Sequence, residues 1–254
     1  MSPTSYQTAL PRGDLETIHG GGSERLARQH GVLQRVVMAL RFLLDSADPQ
    51  AWQQWLPTGL FSGITTNPTL LRRAAQPCSL AHMAQLSELA FGLGAKELHL
   101  QAWGEDLLAC GRSLAQLAPG RIWVKLPITA AGAAAARSLV ADGTPVTFTA
   151  CYEPPQVLLA AALGADYIAP YLGRICDQGR DGHSELITMQ RCIEGLGTPL
   201  RLLVASLRST GDLARLAAEG LNTFTISPAI AEALFAVDAT LAAAEVFERD
   251  ARAL

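Results

Sequence analysis

The sequence is short of the residue patterns that build metal sites and disulfide frameworks. Its five cysteines, at positions 78, 110, 151, 176 and 192, are odd in number and form no CxxC pair. That argues against a zinc site and against a set of disulfides. Buried or idle thiols of a cytoplasmic protein are the plainer reading. The five histidines, at 19, 30, 82, 99 and 183, show no HxH or HExxH spacing, so surface or packing roles are expected and no metal. No run of 18 apolar residues occurs, so no membrane span is expected. The N-terminus lacks a basic start followed by an apolar stretch, so no signal peptide is expected either. A net charge of −3 leaves no footprint for nucleic acid or an anionic membrane, while local arginines remain free to hold small anions. No GxGxxG follows the first strand-like segment, as it would in many nucleotide-binding open sheets.

What is present is a repeat. Short apolar segments at 40–45, 60–64, 97–102, 121–126, 145–149, 166–170, 201–206 and 222–226 read as strands. Between them lie helical stretches rich in Ala, Leu and Glu, at 79–93, 105–117, 131–141, 154–163, 184–195 and 210–219. Gly143, Gly164 and Gly220 stand just past three of these helices, where glycine alone enters the left-handed region without a steric cost. Strands alternating with helices imply parallel pairing. Eight such units in 254 residues predict an α/β fold, a (β/α)8 TIM barrel over 38–254. An additional C-terminal helix at 229–249 carries more apolar positions than one barrel face needs, and docking on a neighbouring subunit would use them. Residues 1–37, with Gly20-Gly21-Gly22 and little apolar periodicity, read as a flexible or unstructured tail, with a short helix around 24–34. Met38, just before the first strand, offers an alternative start.

Barrel strands alternate between interior and helix layer, and active sites form at their C-terminal ends. Polar residues at those ends are therefore informative. Asp45 closes the first strand, Asn67 follows the second, Gln101 ends the third and Lys125 the fourth. Thr149 ends the fifth, Tyr171 follows the sixth and Ser206 ends the seventh. Lys125, in Ile122-Trp123-Val124-Lys125-Leu126-Pro127, has the parity opposite to Ile122 and Val124. Burial of a lysine favours its neutral form, and a neutral amine attacks a ketone to form an imine. On periodicity alone two readings stay open: this one, and a lysine that snorkels or pairs with Asp45. Asp45 as a helix cap, Asn67-Pro68 as a turn and Tyr171 as a packed aromatic stay open in the same way. Arg174 has Asp177 and Asp181 nearby in sequence as surface partners.

Four motifs resemble the transaldolase family: Gly63-Ile64-Thr65-Thr66-Asn67-Pro68-Thr69-Leu70, Trp123-Val124-Lys125-Leu126-Pro127-Ile128-Thr129, Ile168-Ala169-Pro170-Tyr171-Leu172-Gly173-Arg174-Ile175 and Val204-Ala205-Ser206-Leu207-Arg208. The resemblance covers about 40–249. It implies a class I, metal-free enzyme without a cofactor that acts on a sugar phosphate. By position, Lys125 resembles the imine-forming lysine and Asp45 the carboxylate that handles the C4 hydroxyl proton. Asn67 and Ser206 resemble the residues that hold substrate hydroxyls, and Arg174 and Arg208 those that grip phosphate. Gln101 and Tyr171, with Thr149, look like the fructose-6-phosphate aldolase branch, whereas transaldolases typically carry Glu and Phe at the first two. Cys151-Tyr152-Glu153 departs from both. The resemblance also implies a cytoplasmic homo-oligomer, often a ring of ten subunits with exchanged C-terminal helices. Two other classes stand beside it: a barrel isomerase or lyase working without an imine, and a non-catalytic sugar-phosphate-binding barrel.

Overall fold

The structure is a computed structural model that describes residues 39–253. The expected tail over 1–37, with its short helix, and the alternative start at Met38 lie outside the described residues.

Eight strands, all parallel, run β1 Arg41–Asp45, β2 Gly63–Thr65, β3 Glu97–Gln101, β4 Ile122–Pro127, β5 Val146–Cys151, β6 Tyr167–Pro170, β7 Arg201–Leu202 and β8 Thr223–Ile226. Their spatial order is β7-β6-β5-β4-β3-β2-β1-β8. The remaining seam is bridged where Val204 N–H donates to the Thr223 carbonyl and Thr225 N–H donates to the Val204 carbonyl, both at 2.9 Å. The result is the (β/α)8 TIM barrel that the alternation predicts. The helices are α1 Pro49–Trp55, α2 Pro68–Arg73, α3 Leu80–Gly92, α4 Leu107–Ala115, α5 Ala130–Ala141, α6 Gln156–Ala162, α7 Leu172–Asp177, α8 Gly182–Leu196, α9 Thr210–Ala218, α10 Pro228–Phe235 and α11 Asp238–Arg252.

Side-chain parity divides the barrel as expected. Leu98, Leu100, Ile122, Val124 and Phe148 are fully or almost fully buried between strands and helices. Leu43, Tyr167, Ala169, Leu203 and Ala205 form a separate cluster inside the ring, joined by Trp123 and Tyr171. Gly143, Gly164 and Gly220 have φ of +76°, +72° and +90°, which ends their helices as the sequence predicts.

Three expectations are corrected in detail. The second strand begins three residues later than predicted, because a 3-10 turn closed by Gly59 (φ +73°) occupies the approach to it. The seventh strand is regular only over Arg201–Leu202. Beyond it the chain is held by single bridges, and Ser206 turns to a φ of +59°. The helix expected at 229–249 is two helices. The chain turns extended at Val237 (φ −105°, ψ 106°), so α10 packs Ile230 and Ala231 into the body while α11 buries no residue. Helices α1, α2 and α7, each of six or seven residues, are too short to show a 3.6-residue period. Asp48-Pro49 and Asn67-Pro68 nonetheless carry start signals, an N-cap followed by Pro at the first helical position.

Candidate active site

Lys125 projects from β4 into the ring and is only 4% exposed. Its Nζ donates a hydrogen bond to the Thr66 carbonyl at 2.9 Å, across to the loop after β2. Burial lowers its pKa below the usual lysine value, with the Asp45 carboxylate pulling the other way. Asp45, at the end of β1, shows the mirror behaviour. Burial raises its pKa, while Lys125, the Thr65 hydroxyl, Arg174 and Arg73 oppose the rise. The Thr65 hydroxyl donates to Asp45 Oδ1 at 2.7 Å and lies 2.5 Å from the Thr225 hydroxyl on β8. Both shifts lean toward the uncharged forms, because burial penalises either charge.

Asn67 accepts the Leu70 N–H at 3.0 Å and so caps α2. Its Oδ1 is thereby occupied, which leaves its amide N–H groups as the donors available to the cleft. Asp45 is not a cap: Asp48 serves α1, accepting from Gln50 N–H at 2.9 Å.

The far rim is built by β6 and β7. The Arg174 guanidinium lies over the Tyr171 ring at 4.7 Å and donates to the Tyr152 hydroxyl at 3.4 Å. The Tyr171 hydroxyl is 2.6 Å from the Thr149 hydroxyl. Arg208, not Arg174, is the partner of Asp177, at 2.6 Å, and Asp181 instead caps α8 through Ser184. Gly173 N–H donates to the Ser206 carbonyl at 2.8 Å, seating the loop after β7 on the start of α7. A Cβ at position 173 would stand 2.3 Å from Arg208 Nε and 2.5 Å from that carbonyl. Only glycine permits this approach. Asp212 secures the same loop by accepting the Arg208 and Ser209 N–H groups, both at 3.0 Å, and meets His183 Nε2 at 3.0 Å.

Of the residues predicted from sequence, Asp45, Asn67, Lys125, Tyr171, Arg174, Ser206 and Arg208 line one cleft of about 270 Å³ at the C-terminal mouth of the barrel. Gln101 and Thr149 are outside that lining. Gln101 stands in register beside Lys125, and Thr149 reaches the cleft through Tyr171. Thr65, Thr69, Arg73, Thr225 and Ser227 also line the cleft and were not read from the sequence. Strand parity had a signal for two of them: Thr65 lies two residues past Gly63, and Thr225 two past Thr223. Among the described residues no cluster of three or more His, Cys, Asp or Glu side chains is placed to hold a metal.

Comparison with known proteins agrees with this geometry. Residues 42–254 match the family described as "Transaldolase/Fructose-6-phosphate aldolase". The chain belongs to that family. A "Probable transaldolase" of Caulobacter sp. (strain K31) is 33% identical over 211 residues, covering 83% of this chain and 96% of that protein. A "Probable transaldolase" of Hyphomonas neptunium (strain ATCC 15444) is 32% identical over 213 residues, covering 84% and 97%. Among solved structures, thiamine phosphate pyrophosphorylase from Pyrococcus furiosus superposes with a TM-score of 0.53 at 12% identity, over 76% of this chain and 88% of that one. At that identity the likeness is one of fold. Like other transaldolase/fructose-6-phosphate aldolase family members that match it over nearly their full length, this chain is of the enzyme class that the family name describes.

Proposed function

We propose that Lys125 forms a Schiff base with a ketose phosphate such as fructose 6-phosphate. The observation that carries this is a buried, pKa-lowered amine at the floor of a cleft whose far rim presents Arg174 and Arg208. Neutral Lys125 attacks C2 and, with loss of water, becomes an iminium. Asp45 takes the proton of the C4 hydroxyl. The C3–C4 bond breaks and its electron pair enters the iminium, leaving a three-carbon enamine on Lys125. Glyceraldehyde 3-phosphate departs, its phosphate held until then by the guanidinium forks of Arg174 and Arg208. Asn67 and Ser206 hold the hydroxyls of the remaining fragment.

Two fates follow for the enamine. Protonation at C3 and addition of water at C2 release dihydroxyacetone and restore the amine, which is the aldolase outcome. The Tyr171 phenol, tethered to Thr149 at 2.6 Å at the cleft wall, with Gln101 beside Lys125, supports this outcome by offering a route for a proton. Transfer to erythrose 4-phosphate is the transaldolase outcome, which the names of the similar bacterial proteins favour. Product analysis from fructose 6-phosphate separates the two. Free dihydroxyacetone without acceptor identifies the aldolase, and strict dependence on acceptor the transaldolase. Borohydride reduction in the presence of substrate adds mass at Lys125 under either. A Lys125 left unlabelled defeats the Schiff-base reading in favour of a barrel that binds sugar phosphate without imine chemistry.

We further propose a cytoplasmic homo-oligomer. Helix α11 buries no residue in its own chain while Leu241, Val246 and Phe247 stand exposed at 52%, 42% and 70%. A second copy of the chain covers them. No helix among the described residues is long and apolar enough to cross a membrane. Sedimentation analysis tests the assembly, with the ten-subunit ring as the expected form and a monomer as the contrary result.

A further inference from the structure

The charges around the cleft are unequal to the task assigned so far. Among its lining residues are one carboxylate, Asp45, one lysine and three arginines, Arg73, Arg174 and Arg208. Arg174 and Arg208 account for one phosphate. Arg73 is left over. Among the described residues its guanidinium makes no side-chain hydrogen bond or salt bridge, and its charge is felt at Asp45. Its place is not accidental to helix geometry. Thr69, Leu70 and Arg73 all line the cleft, at the i, i+1 and i+4 positions of one face of α2. Arg72, beside it in sequence, turns away and lines nothing there.

Arg73 and Arg174 also stand on different rims. Helix α2 follows β2 and helix α7 follows β6. In a ring of eight strands ordered β1 to β8, those two strands are diametrically opposed. Asp45 feels the charge of both arginines and shares the cleft with them and with Lys125 on β4. A ketose bound to Lys125 through C2, with its C6 phosphate toward Arg174 and Arg208, directs C1 away from them and toward the rim of α2.

We propose that Arg73, with the Thr69 hydroxyl one turn before it, is a second anion subsite, so that the cleft accepts ketones carrying a phosphate on the C1 side of the reacting carbonyl. This rests on the Schiff-base reading for its orientation. The phosphate is recognised and not transferred. The covalent chemistry remains attack by the Lys125 amine at C2 with loss of water.

Dihydroxyacetone phosphate is the probe. Only one bond separates its carbonyl carbon from the phosphate-bearing carbon, against four in fructose 6-phosphate, so its phosphate falls short of the Arg174 rim while the carbonyl is at Lys125. Borohydride trapping at Lys125, read by mass spectrometry, gives half-trapping concentrations for dihydroxyacetone and for dihydroxyacetone phosphate. In the wild type the phosphate ester traps at the lower concentration. In Arg73→Gln the ratio of the two values shifts about tenfold toward dihydroxyacetone, the worth of one charge-assisted contact, and in Arg72→Gln the ratio stays as in the wild type. An unaltered ratio in Arg73→Gln overturns the proposal. So does an Arg73→Gln variant that weakens fructose 6-phosphate as much as dihydroxyacetone phosphate, since Arg73 is then a third grip on the same phosphate. Calorimetric titration of dihydroxyacetone phosphate into the wild type and both variants reads the subsite without chemistry. Absence of trapping with either ketone therefore counts against the Schiff base, while Arg73-dependent heat still supports the subsite and Arg73-independent heat still overturns it.

Discussion

Polar side chains fill both ends of this barrel, and they are treated in opposite ways. At the N-terminal end Glu97 is the hub. It accepts from the Tyr167 hydroxyl at 3.0 Å and the Ser62 hydroxyl at 3.1 Å, meets His99 Nε2 at 3.4 Å and pairs with Arg41 at 3.5 Å. His99 in turn touches the Thr147 hydroxyl at 2.9 Å and stacks on Trp123 at 5.5 Å. Burial acts to raise the Glu97 pKa, but its hydrogen bond and charge pairing with His99, the Arg41 charge and the Tyr167 hydrogen bond outweigh it and bring the group down to about 2. Glu97 is thus stabilised as the ion. At the C-terminal end Asp45 and Lys125 are moved toward neutrality, and three guanidiniums face the cleft with one carboxylate among them. The Glu97 network locks the ring, although the buried Trp123 indole N–H beside it has no partner among the described residues. The other end leaves its charged groups facing an open cleft.

That contrast is open to attack at either end. Lys125→Met is expected to lower turnover by about a thousandfold or more, since no other amine replaces the covalent step, while the thermal midpoint is kept or raised because a desolvated polar group is removed from the barrel interior. Substantial residual turnover would place the chemistry elsewhere. Glu97→Gln is expected to do the reverse. It costs about 3 kcal/mol of stability, read by denaturant unfolding, while reductive trapping at Lys125 persists in the folded fraction. The sign with pH follows from its depressed pKa. The contribution is fully present above the ordinary 4.5 and is lost as pH falls toward about 2. The wild type therefore loses more stability than Glu97→Gln across that window, and parallel acid limbs would contradict the role of Glu97 as hub. Arg174→Gln is expected to raise KM for fructose 6-phosphate about tenfold with kcat nearly unchanged, the mark of a contact made equally in ground and transition states. A fall in kcat alone would show that Arg174 acts on the reacting carbons. The smallest effect is assigned to Tyr171→Phe, which removes the hydroxyl 2.6 Å from Thr149. The ratio of dihydroxyacetone released to dihydroxyacetone transferred should fall about threefold, and an unmoved ratio would relieve the phenol of any part in protonation.

Much of the upper end was legible before the structure, because strand parity and strand ends are properties of order along the chain. Lys125, Asp45 and Asn67 fall where counting from Ile122, Leu44 and Ile64 puts them. Arg73 escaped because the six-residue helix that carries it is too short to show a period, and because adjacent Arg72 offered no reason to choose between them. The lower end escaped differently. His99 shares its parity with Gln101, yet nothing in Glu97-Leu98-His99-Leu100 announces that Tyr167, 70 residues away, closes on Glu97. Such pairing belongs to the closed ring and has no local signature. The exchange of partners at Asp177, taken by Arg208 instead of Arg174, is of the same kind, since it depends on the loop after β7 crossing the start of α7.

At that crossing the hydrogen atom of Gly173 stands where any larger substituent would meet the Arg208 side chain at 2.3 Å. The reach of Arg208 is therefore set by a residue that itself touches no sugar. A methyl group at 173 would also stand 2.5 Å from the Ser206 carbonyl, and backbone cannot swing aside as a side chain can, so the whole turn that carries Ser206 and Arg208 would have to move together.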